Sequence, residues 1–275
     1  MALYTDGSIS NLSDLRDQET GILDTAHAEG VDLTTKLRLA QEEIGVEVVA
    51  FLLEHGPGVS SEESLRRLSN VVVTPALKQW HTFHTLELAY RDLYYNQYND
   101  RYAEKWKEYG RLARAVAALL FDTGVGIASE PVGRAAAPAL SWTPGGPEGA
   151  PTAGTYYVRV CWVTATGTEG GASEAAALVA AEGSQLVVTP PAAPGGGPEG
   201  APVAGWNVFV GGPEGGPEGG PEGTPADETA LQNDAPLALD STWTMPVTGL
   251  RAGRRPSNGQ SPDLYVKVSR TIRRG

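Results

Sequence analysis

The chain has 275 residues, a formal net charge of -12 and one cysteine, and an abrupt change of composition near its middle favours two domains over one. The negative charge argues against general nucleic-acid binding, but it is compatible with a surface that DNA passes without sticking, or with a basic partner. Because Cys161 is the only cysteine, an internal disulfide bond and a cysteine-based zinc site are both excluded. We expect neither a cleaved signal peptide nor a membrane span, because no charged-then-apolar leader and no apolar run near about 20 residues is present.

An all-α domain is predicted for residues 1–127. Residues 11–29 fit a helix that is interrupted near Gly21, and Asp32 is expected to cap a stronger helix. A short helix is expected at 61–68. Helices that are joined by short connections and share one apolar side form a compact helical bundle.

Two long helices folded back on each other are predicted for residues 74–121. Thr74 offers a hydroxyl cap, and Pro75 takes the first helical position, where its missing N–H costs nothing. Residues 96–100 are polar and turn-prone, and Asp100 can cap the second helix. In that helix, apolar residues recur with alternating spacings of four and three, which is typical of a narrow packing seam. They are Tyr102, Trp106, Tyr109, Ala113, Val116 and Leu120.

A linker and a β-domain are predicted next. Gly, Pro and Ala dominate residues 128–153, which indicates a linker. Residues 154–250 change to an alternating pattern with Gly/Pro turns, which is typical of a β-sandwich of the immunoglobulin or fibronectin type III class. Strands are expected at 155–163, 175–181, 184–190, 205–211 and 241–245.

A short motif, GGPEG, recurs in the β region. It lies at 145–149 and 196–200, and three overlapping copies lie within 211–223. The motif has no apolar residue with which to build a core, and its period is too short for a solenoid. Expanded loop sequence is therefore favoured over a ligand-binding repeat.

Residues 251–275 are predicted to form a basic, extended tail on an acidic chain. Asp263 is its one acid, and residues 264–268 alternate like a strand. Two interpretations are equally supported: docking onto an acidic neighbour such as another copy of the chain, or a final strand of the β-domain with a frayed basic end. The cations are Arg251, Arg254, Arg255, Lys267, Arg270, Arg273 and Arg274.

No catalytic constellation is recognisable. His81 and His84 lie three residues apart on a predicted helix, which is a feasible spacing for metal ligands. Neither histidine is accompanied by an acidic residue at the spacing of the HExxH zinc motif. A role in packing or at an interface is therefore favoured over a role as metal ligands of an enzyme. Glu42 and Glu43 are adjacent in a helix and point in different directions, so they form no acid–base dyad. We therefore predict a non-enzymatic protein without metal or cofactor.

Two passages of the helical part resemble the head–tail connector (adaptor) proteins of long-tailed bacteriophages. One is DLTTKLRLAQEEIGVEVVAFLL at 32–53, and the other, at 71–127, combines TPALKQWH, a Tyr/Asn-rich loop and KWKEY. This resemblance covers about residues 12–137. Residues 156–163 and GWNVFVG at 205–211 are similar to fibronectin-like domains appended to phage structural proteins, whereas the GGPEG repeats depart from the family pattern.

The resemblance implies a structural protein of the virion neck, made in the host cytoplasm. It implies a dodecameric ring beneath the portal protein, in contact with other neck and tail-completion proteins. The genome DNA would pass through the channel of this ring without sequence-specific binding, and the protein would not contact a membrane. The alternative is an adhesion or capsid-decoration protein that acts through its β-domain. Channel-facing candidates are Glu42, Glu43 and Glu47. Assembly-interface candidates are Trp80, His81, His84, Tyr94, Tyr95, Tyr98, Tyr102, Trp106, Arg254, Arg255, Tyr265, Arg270, Arg273 and Arg274.

Overall fold

The structure is a computed structural model in which helices dominate the N-terminal part of the chain and antiparallel β-sheets the C-terminal part, so the fold is mixed α+β. It describes residues 2–56, 67–97, 100–144, 154–180, 183–194, 202–212, 229–246 and 248–268. The chain divides into two compact units. The helical unit comprises Tyr4–Ser129 and Ser261–Gly275, and the β unit comprises Met1–Leu3 and Glu130–Gln260.

Five α-helices lie in the described part of the helical unit, and two of them begin at predicted caps, whereas Asp100, also predicted as a cap, is itself the first residue of the fifth. Asp32 caps the third, since its Oδ1 accepts a hydrogen bond from the backbone N–H of Thr34 at 2.9 Å. Thr74 caps the fourth, since its Oγ1 accepts a hydrogen bond from the backbone N–H of Leu77 at 3.4 Å. The interruption near Gly21 is also confirmed. The helices are α1 Leu12–Gln18, α2 Ile22–Ala28, α3 Leu33–His55, α4 Pro75–Gln97 and α5 Asp100–Thr123.

The predicted helical hairpin is confirmed by ring contacts that run in opposite order along α4 and α5. Trp80 meets Phe121 with ring centroids 5.5 Å apart, and Tyr90 stacks on Tyr109 at 5.7 Å. Closer to the connection, the centroids of Tyr94 and Trp106 lie 6.1 Å apart. The predicted helix at 61–68 lies largely outside the described residues, and Leu68–Asn70 form a 3₁₀ turn.

The predicted strands of the β region are confirmed, and further strands are found. The strands are β1 Val125–Ile127, β2 Ala139–Pro144, β3 Gly154–Thr164, β4 Ala176–Ala180, β5 Ser184–Thr189, β6 Val203–Gly211, β7 Ala230–Leu231, β8 Trp243–Thr244 and β9 Leu264–Val266. In the β unit they form two antiparallel sheets with the orders β2-β5-β8 and β4-β3-β6-β7. One cluster of buried side chains draws from both sheets, including Trp162, Leu186 and Trp206.

The predicted linker at 128–153 differs from the structure, because β2 lies within it and pairs with β5 along six residues. Leu140 and Trp142 pack against the core of the β unit. The alternation of the segment ALSWTP was hidden by the surrounding Gly, Pro and Ala, which are strong local signals for loops. The GGPEG copies lie almost entirely outside the described residues.

The C-terminal segment requires a larger correction, because β9 is not a strand of the β-domain. It pairs with β1 in the helical unit, with Val266 opposite Val125 and Leu264 opposite Ile127. Asp263 supports this pairing: its backbone N–H donates to Ile127 O at 3.0 Å, and its Oδ1 accepts from the Ser129 N–H at 3.2 Å. The β unit is therefore an insertion between two adjacent strands of the helical unit.

A small sheet in the helical unit joins segments from both ends of its chain. The Tyr4 N–H donates to Val71 O at 2.8 Å, and the Val72 N–H donates to Gly126 O at 2.9 Å. The order across this sheet is therefore Tyr4, residues 70–72, β1 and β9. In the described residues, no helix is both long enough and apolar enough to cross a membrane.

Candidate assembly surfaces of the helical unit

Three predicted interface residues, Trp80, His81 and Tyr102, are instead part of the core of the helical unit. Each is at most 4% exposed, so none can present its ring to a partner. Tyr102 contacts Tyr90, and its hydroxyl donates to Glu29 Oε1 at 3.2 Å. Helical spacing identified these residues as one side of a hairpin, but it did not show that this side was covered by the rest of the unit.

His81 links three segments of the helical unit. Its Nε2–H donates to Leu37 O in α3 at 2.9 Å, and its Nδ1 lies 2.9 Å from Ser10 Oγ, which is also 2.9 Å from Thr82 Oγ1. Burial disfavours the charged ring and lowers the pKa of His81 to about 4. The residue is therefore a neutral structural cross-link at ordinary pH.

His84 lies one turn further along α4 and makes a clamp between two carboxylates. Its Nε2 is 2.7 Å from Glu43 Oε2 in α3, and its Nδ1 is 3.0 Å from Glu87 Oε2. Burial opposes charging, but the hydrogen bonds to Glu87 and Glu43 outweigh it and raise the pKa of His84. Both nitrogens of each histidine are thus engaged, and the described residues contain no group of three or more ligands suited to a metal ion.

Gly110 in α5 lets the Glu87 carboxylate approach the helix backbone. A Cβ at Gly110 would lie 2.6 Å from Glu87 Oε1, closer than real Cβ contacts. We expect Gly110→Ala to displace the end of this flexible side chain from His84 and so to lower the pKa of His84, as measured by NMR titration of the ring protons. A matched control is Gly21→Ala, because a Cβ at Gly21 meets nothing within 4 Å. An unchanged His84 pKa in Gly110→Ala would contradict this account of the clamp.

The hairpin carries an exposed aromatic cluster near its connection, formed by Tyr94, Tyr95 and Trp106. Tyr95 lies 5.5 Å from Tyr94 and 6.0 Å from Trp106, measured between ring centroids. Tyr95 is 54% exposed, whereas Tyr94 and Trp106 are half-buried. The structure thus brings these three predicted interface residues together at the surface. Tyr98, their predicted neighbour, lies outside the described residues.

The basic interface candidates lie in different units. Arg254 belongs to the β unit, where its guanidinium pairs with Glu169 and lies 5.5 Å from the Phe209 ring centroid. Glu169 also accepts from Asn207 Nδ2 at 2.5 Å, so Arg254 takes part in an internal network. Arg255 in the same unit and Tyr265 on β9 of the helical unit are exposed. Arg270, Arg273 and Arg274 lie outside the described residues.

The three channel-facing candidates lie on the exposed side of α3. Glu42 pairs with Arg38 one turn earlier, and Glu43 pairs with His84. Their negative charge is thus partly compensated within the unit, whereas Glu47 has no ion pair among the described residues. Exposure alone does not show that any of them faces a channel, and that assignment stays a prediction.

A groove of about 1060 Å³ follows the outer side of α3, which the sequence interpretation missed. Its apolar lining includes Leu12, Leu37, Val46, Val49 and Leu68, with Arg38, Gln41 and Glu42 among its polar residues. Val46 is 71% exposed and Leu53, one further heptad along, is 59% exposed. Leu39, Val46 and Leu53 recur every seven residues, and this second apolar stripe was the available signal.

Cys161 is buried in β3, and burial raises the pKa of its thiol to about 12. A buried thiol that stays protonated is unreactive, so Cys161 packs as a small apolar side chain. No protein-family model matches the chain, and no curated protein or solved structure is significantly similar to it.

Proposed function

We propose that this chain is a structural assembly subunit, the head–tail connector of a tailed bacteriophage, which forms a ring beneath the portal protein. The observation that carries this proposal is the aromatic cluster of Tyr94, Tyr95 and Trp106 on a hairpin with a well-packed core: Tyr95 is 54% exposed, and the other two rings are half-buried beside it. Trp and Tyr dominate the energetics of protein interfaces. The two quoted passages that resemble connectors cover α3, α4 and α5, which build this hairpin and its support.

The finer fold is also a proposal: a helical bundle with an inserted sandwich of the fibronectin type III class. The sheet order β4-β3-β6-β7 corresponds to C′-C-F-G of immunoglobulin-like folds, and the β2–β5 pair corresponds to B–E. The position of β8 beside β5 departs from that pattern. Both connections of the inserted β unit lead to adjacent strands of the helical unit, β1 and β9.

Ring formation is tested by mixing the purified chain with the portal protein of the same phage and imaging the product by electron microscopy. We expect rings on the portal for the wild-type chain, and at least about tenfold weaker assembly for Tyr95→Ala because an interface anchor is removed. Leu119→Ala is the matched control, because Leu119 is 56% exposed on the same hairpin and outside the cluster. The proposal would be overturned if the chain stayed monomeric and did not bind the portal. Binding of the chain to the surface of the phage head would instead favour a decoration protein.

A further inference from the structure

The exposed side of α3 carries a row of residues that we call the acid stripe. From Leu39 to His55, this helix has four glutamates and no lysine or arginine. Three of the glutamates share one side of the helix with an alanine, because residues at successive spacings of four and three lie in one row. All residues of the acid stripe are exposed, and they are Glu43, Glu47, Ala50 and Glu54.

Most of the negative charge of the acid stripe is not neutralised within the chain. Glu43 pairs with His84. Glu47 has no ion pair among the described residues, and Glu54 approaches the imidazole of His55 at 3.8 Å, which is a weak contact. The acid stripe can therefore accept cations from another molecule.

Exposed apolar side chains flank the acid stripe. Val46 and Leu53 lie one helical turn before and one turn after Ala50. They are the two most exposed large apolar side chains in the described part of the helical unit. This side of α3 thus combines charge with apolar surface that a partner can bury.

The side of α5 that faces solvent carries a matching row, which we call the basic stripe. It has the same successive spacings of four, three and four residues, and it also contains one alanine. From Gly110 to Phe121, α5 has two arginines and no acid. All residues of the basic stripe are exposed, and they are Lys107, Arg111, Arg114 and Ala118.

The three cations of the basic stripe have no ion pair among the described residues. Cations elsewhere on the helices are mostly paired within the chain, as Lys36 is with Asp92 and Lys105 with Glu19. The basic stripe is therefore the one place where the described residues bring several unpaired cations together. The other described cations without a partner lie on separate elements, and they are Arg16, Arg255 and Lys267.

The two stripes belong to different surfaces of the helical unit. α3 meets α4 at His81 and Asp92, whereas α5 meets α4 at Phe83 and Tyr90. Both stripes are exposed, so they do not cover each other within one copy. A contact between them must therefore join two copies.

The charges of the two stripes match when the helices lie side by side. With the helices parallel, Glu47 faces Arg111. With the helices antiparallel, Glu47 faces Arg114 and Glu54 faces Lys107. Pairing either stripe with the same stripe of another copy would place like charges together, which is unfavourable. Charge complementarity thus selects α5 of a second copy as the partner of α3.

We propose that the acid stripe of α3 binds the basic stripe of α5 on a second copy of this chain. This inference rests on the proposed self-assembly and names the contact that produces it. The contact joins two different surfaces, so it is heterologous and generates a ring when the rotation closes. The charges select the surfaces, while Val46, Leu53 and the aliphatic stems of the cations supply apolar contact. Glu47 then faces a neighbouring copy and not a DNA channel.

The test is a charge exchange in the full chain, followed by sedimentation velocity. The acid variant is Glu47→Arg/Glu54→Arg, and the basic variant is Lys107→Glu/Arg111→Glu. The wild type is expected to form species larger than a dimer, which high salt weakens. Each variant alone is expected to lose self-association by at least about tenfold, because like charges then meet across the contact.

Association should return in two ways. Combining all four changes in one chain restores opposite charges at every contact. An equimolar mixture of the two variants also restores association, because a wild-type pair of stripes forms at one contact and an exchanged pair at the next. The inference is overturned if the acid variant associates like the wild type, if neither combination recovers, or if the wild type stays monomeric or stops at a dimer.

Matched controls carry the same change of net charge on other elements. Asp17→Arg/Asp24→Arg corresponds to the acid variant, and Arg16→Glu/Arg255→Glu corresponds to the basic variant. All four residues are exposed and have no ion pair among the described residues. Association should be unchanged in both controls. A loss as large as in the stripe variants would show that net charge, and not the contact between stripes, controls association.

Cross-linking locates the contact without changing any charge. Ala50→Cys/Ala118→Cys, treated with a short bismaleimide, is expected to give a ladder of covalent oligomers, because each copy then has one reactive thiol on each stripe. Cys161 is buried and does not compete. Neither single variant should form covalent dimers. Dimers of Ala50→Cys alone would place two α3 helices together and would overturn the inference.

These measurements separate failure of this inference from failure of the proposed function. Charge-dependent oligomers that do not bind the portal would support the contact between stripes and refute the connector. Rings on the portal that form equally well with the acid variant would leave the proposed function standing and refute this contact.

Discussion

Trp206→Ala is expected to lower the free energy of unfolding of the β unit by about 3–5 kcal/mol. Trp206 is fully buried in the core shared by the two sheets, and its Nε1–H donates to Ala238 O at 2.9 Å. The substitution removes the largest buried side chain of β6, leaves a cavity in close-packed surroundings, and removes one of the donors to a backbone carbonyl that also accepts from Ser241. Trp206 also holds the chain that precedes β8, through paired backbone hydrogen bonds with Leu237 at 2.8 and 3.0 Å.

Hydrogen exchange followed by mass spectrometry checks this result, because it reports on the β unit and the helical unit separately. Amides of β3 and β6 should lose protection in Trp206→Ala. The matched control is Val179→Ala on β4, where a 69% exposed side chain is shortened and a change within about 0.5 kcal/mol is expected. Unchanged protection of β3 and β6 in Trp206→Ala would show that this core does not stabilise the sheets.

His81→Leu is expected to destabilise the helical unit by about 2–3 kcal/mol at pH 7. Leucine fills much of the same space, but it removes the hydrogen bonds to Leu37 O and Ser10 Oγ, which tie α3 and the N-terminal segment to α4. Because the site is fully buried, water does not replace these bonds. His27→Leu is the matched control, since His27 is exposed on α2. Urea unfolding followed by circular dichroism measures both variants.

The pH dependence of the His81→Leu effect is a sharper test than its size. The pKa of His81 is about 4 in the folded chain against an ordinary value of 6.5, so the unfolded chain binds the proton more readily. The stability that neutral His81 contributes is fully present above pH 6.5 and is lost as the pH falls through 4, by about 3 kcal/mol. The difference between His81→Leu and wild type should therefore shrink between these pH values. A difference that stays constant would refute a buried neutral His81.

The contribution of His84 to stability depends on pH in the opposite direction. Its pKa is raised in the folded chain, because the hydrogen bonds to Glu87 and Glu43 outweigh burial. Its contribution is therefore fully present below the ordinary histidine pKa and is lost as the pH rises through the folded value. Two histidines one turn apart on α4 thus respond to acid in opposite directions, and only comparison of matched variants separates them.

Much of the helical unit could be predicted because its signals are local. Thr74 with Pro75 set the start of α4, Asp32 set the start of α3, and the apolar spacing of α5 identified its packed side. The strands β3 to β6 could be predicted from the sequence for the same reason, because the alternation of apolar and polar side chains is a property of adjacent residues. In the candidate sites, sequence selected Tyr94, Tyr95 and Trp106, which the structure places together.

Other features depended on residues far apart in the chain. The basic segment was assigned to the β-domain or to a neighbour, whereas β9 pairs with β1 across an insertion of the whole β unit. Trp80, His81 and Tyr102 have the same residue types and spacing as surface aromatics, and only the packing of other elements against them shows that they are core. The groove beside Val46 likewise requires the N-terminal segment to lie against α3.

The sequence by itself determined where the long helices and the strands β3 to β6 form, which side of each long helix is apolar, and where positive and negative charges concentrate, because these depend on neighbours within a few residues. Only the tertiary structure decided what covers each apolar side, which strand pairs with β1, and which carboxylates meet His84. The physical reason is that periodicity specifies a surface, whereas the choice of its partner depends on shape and hydrogen bonds between distant segments.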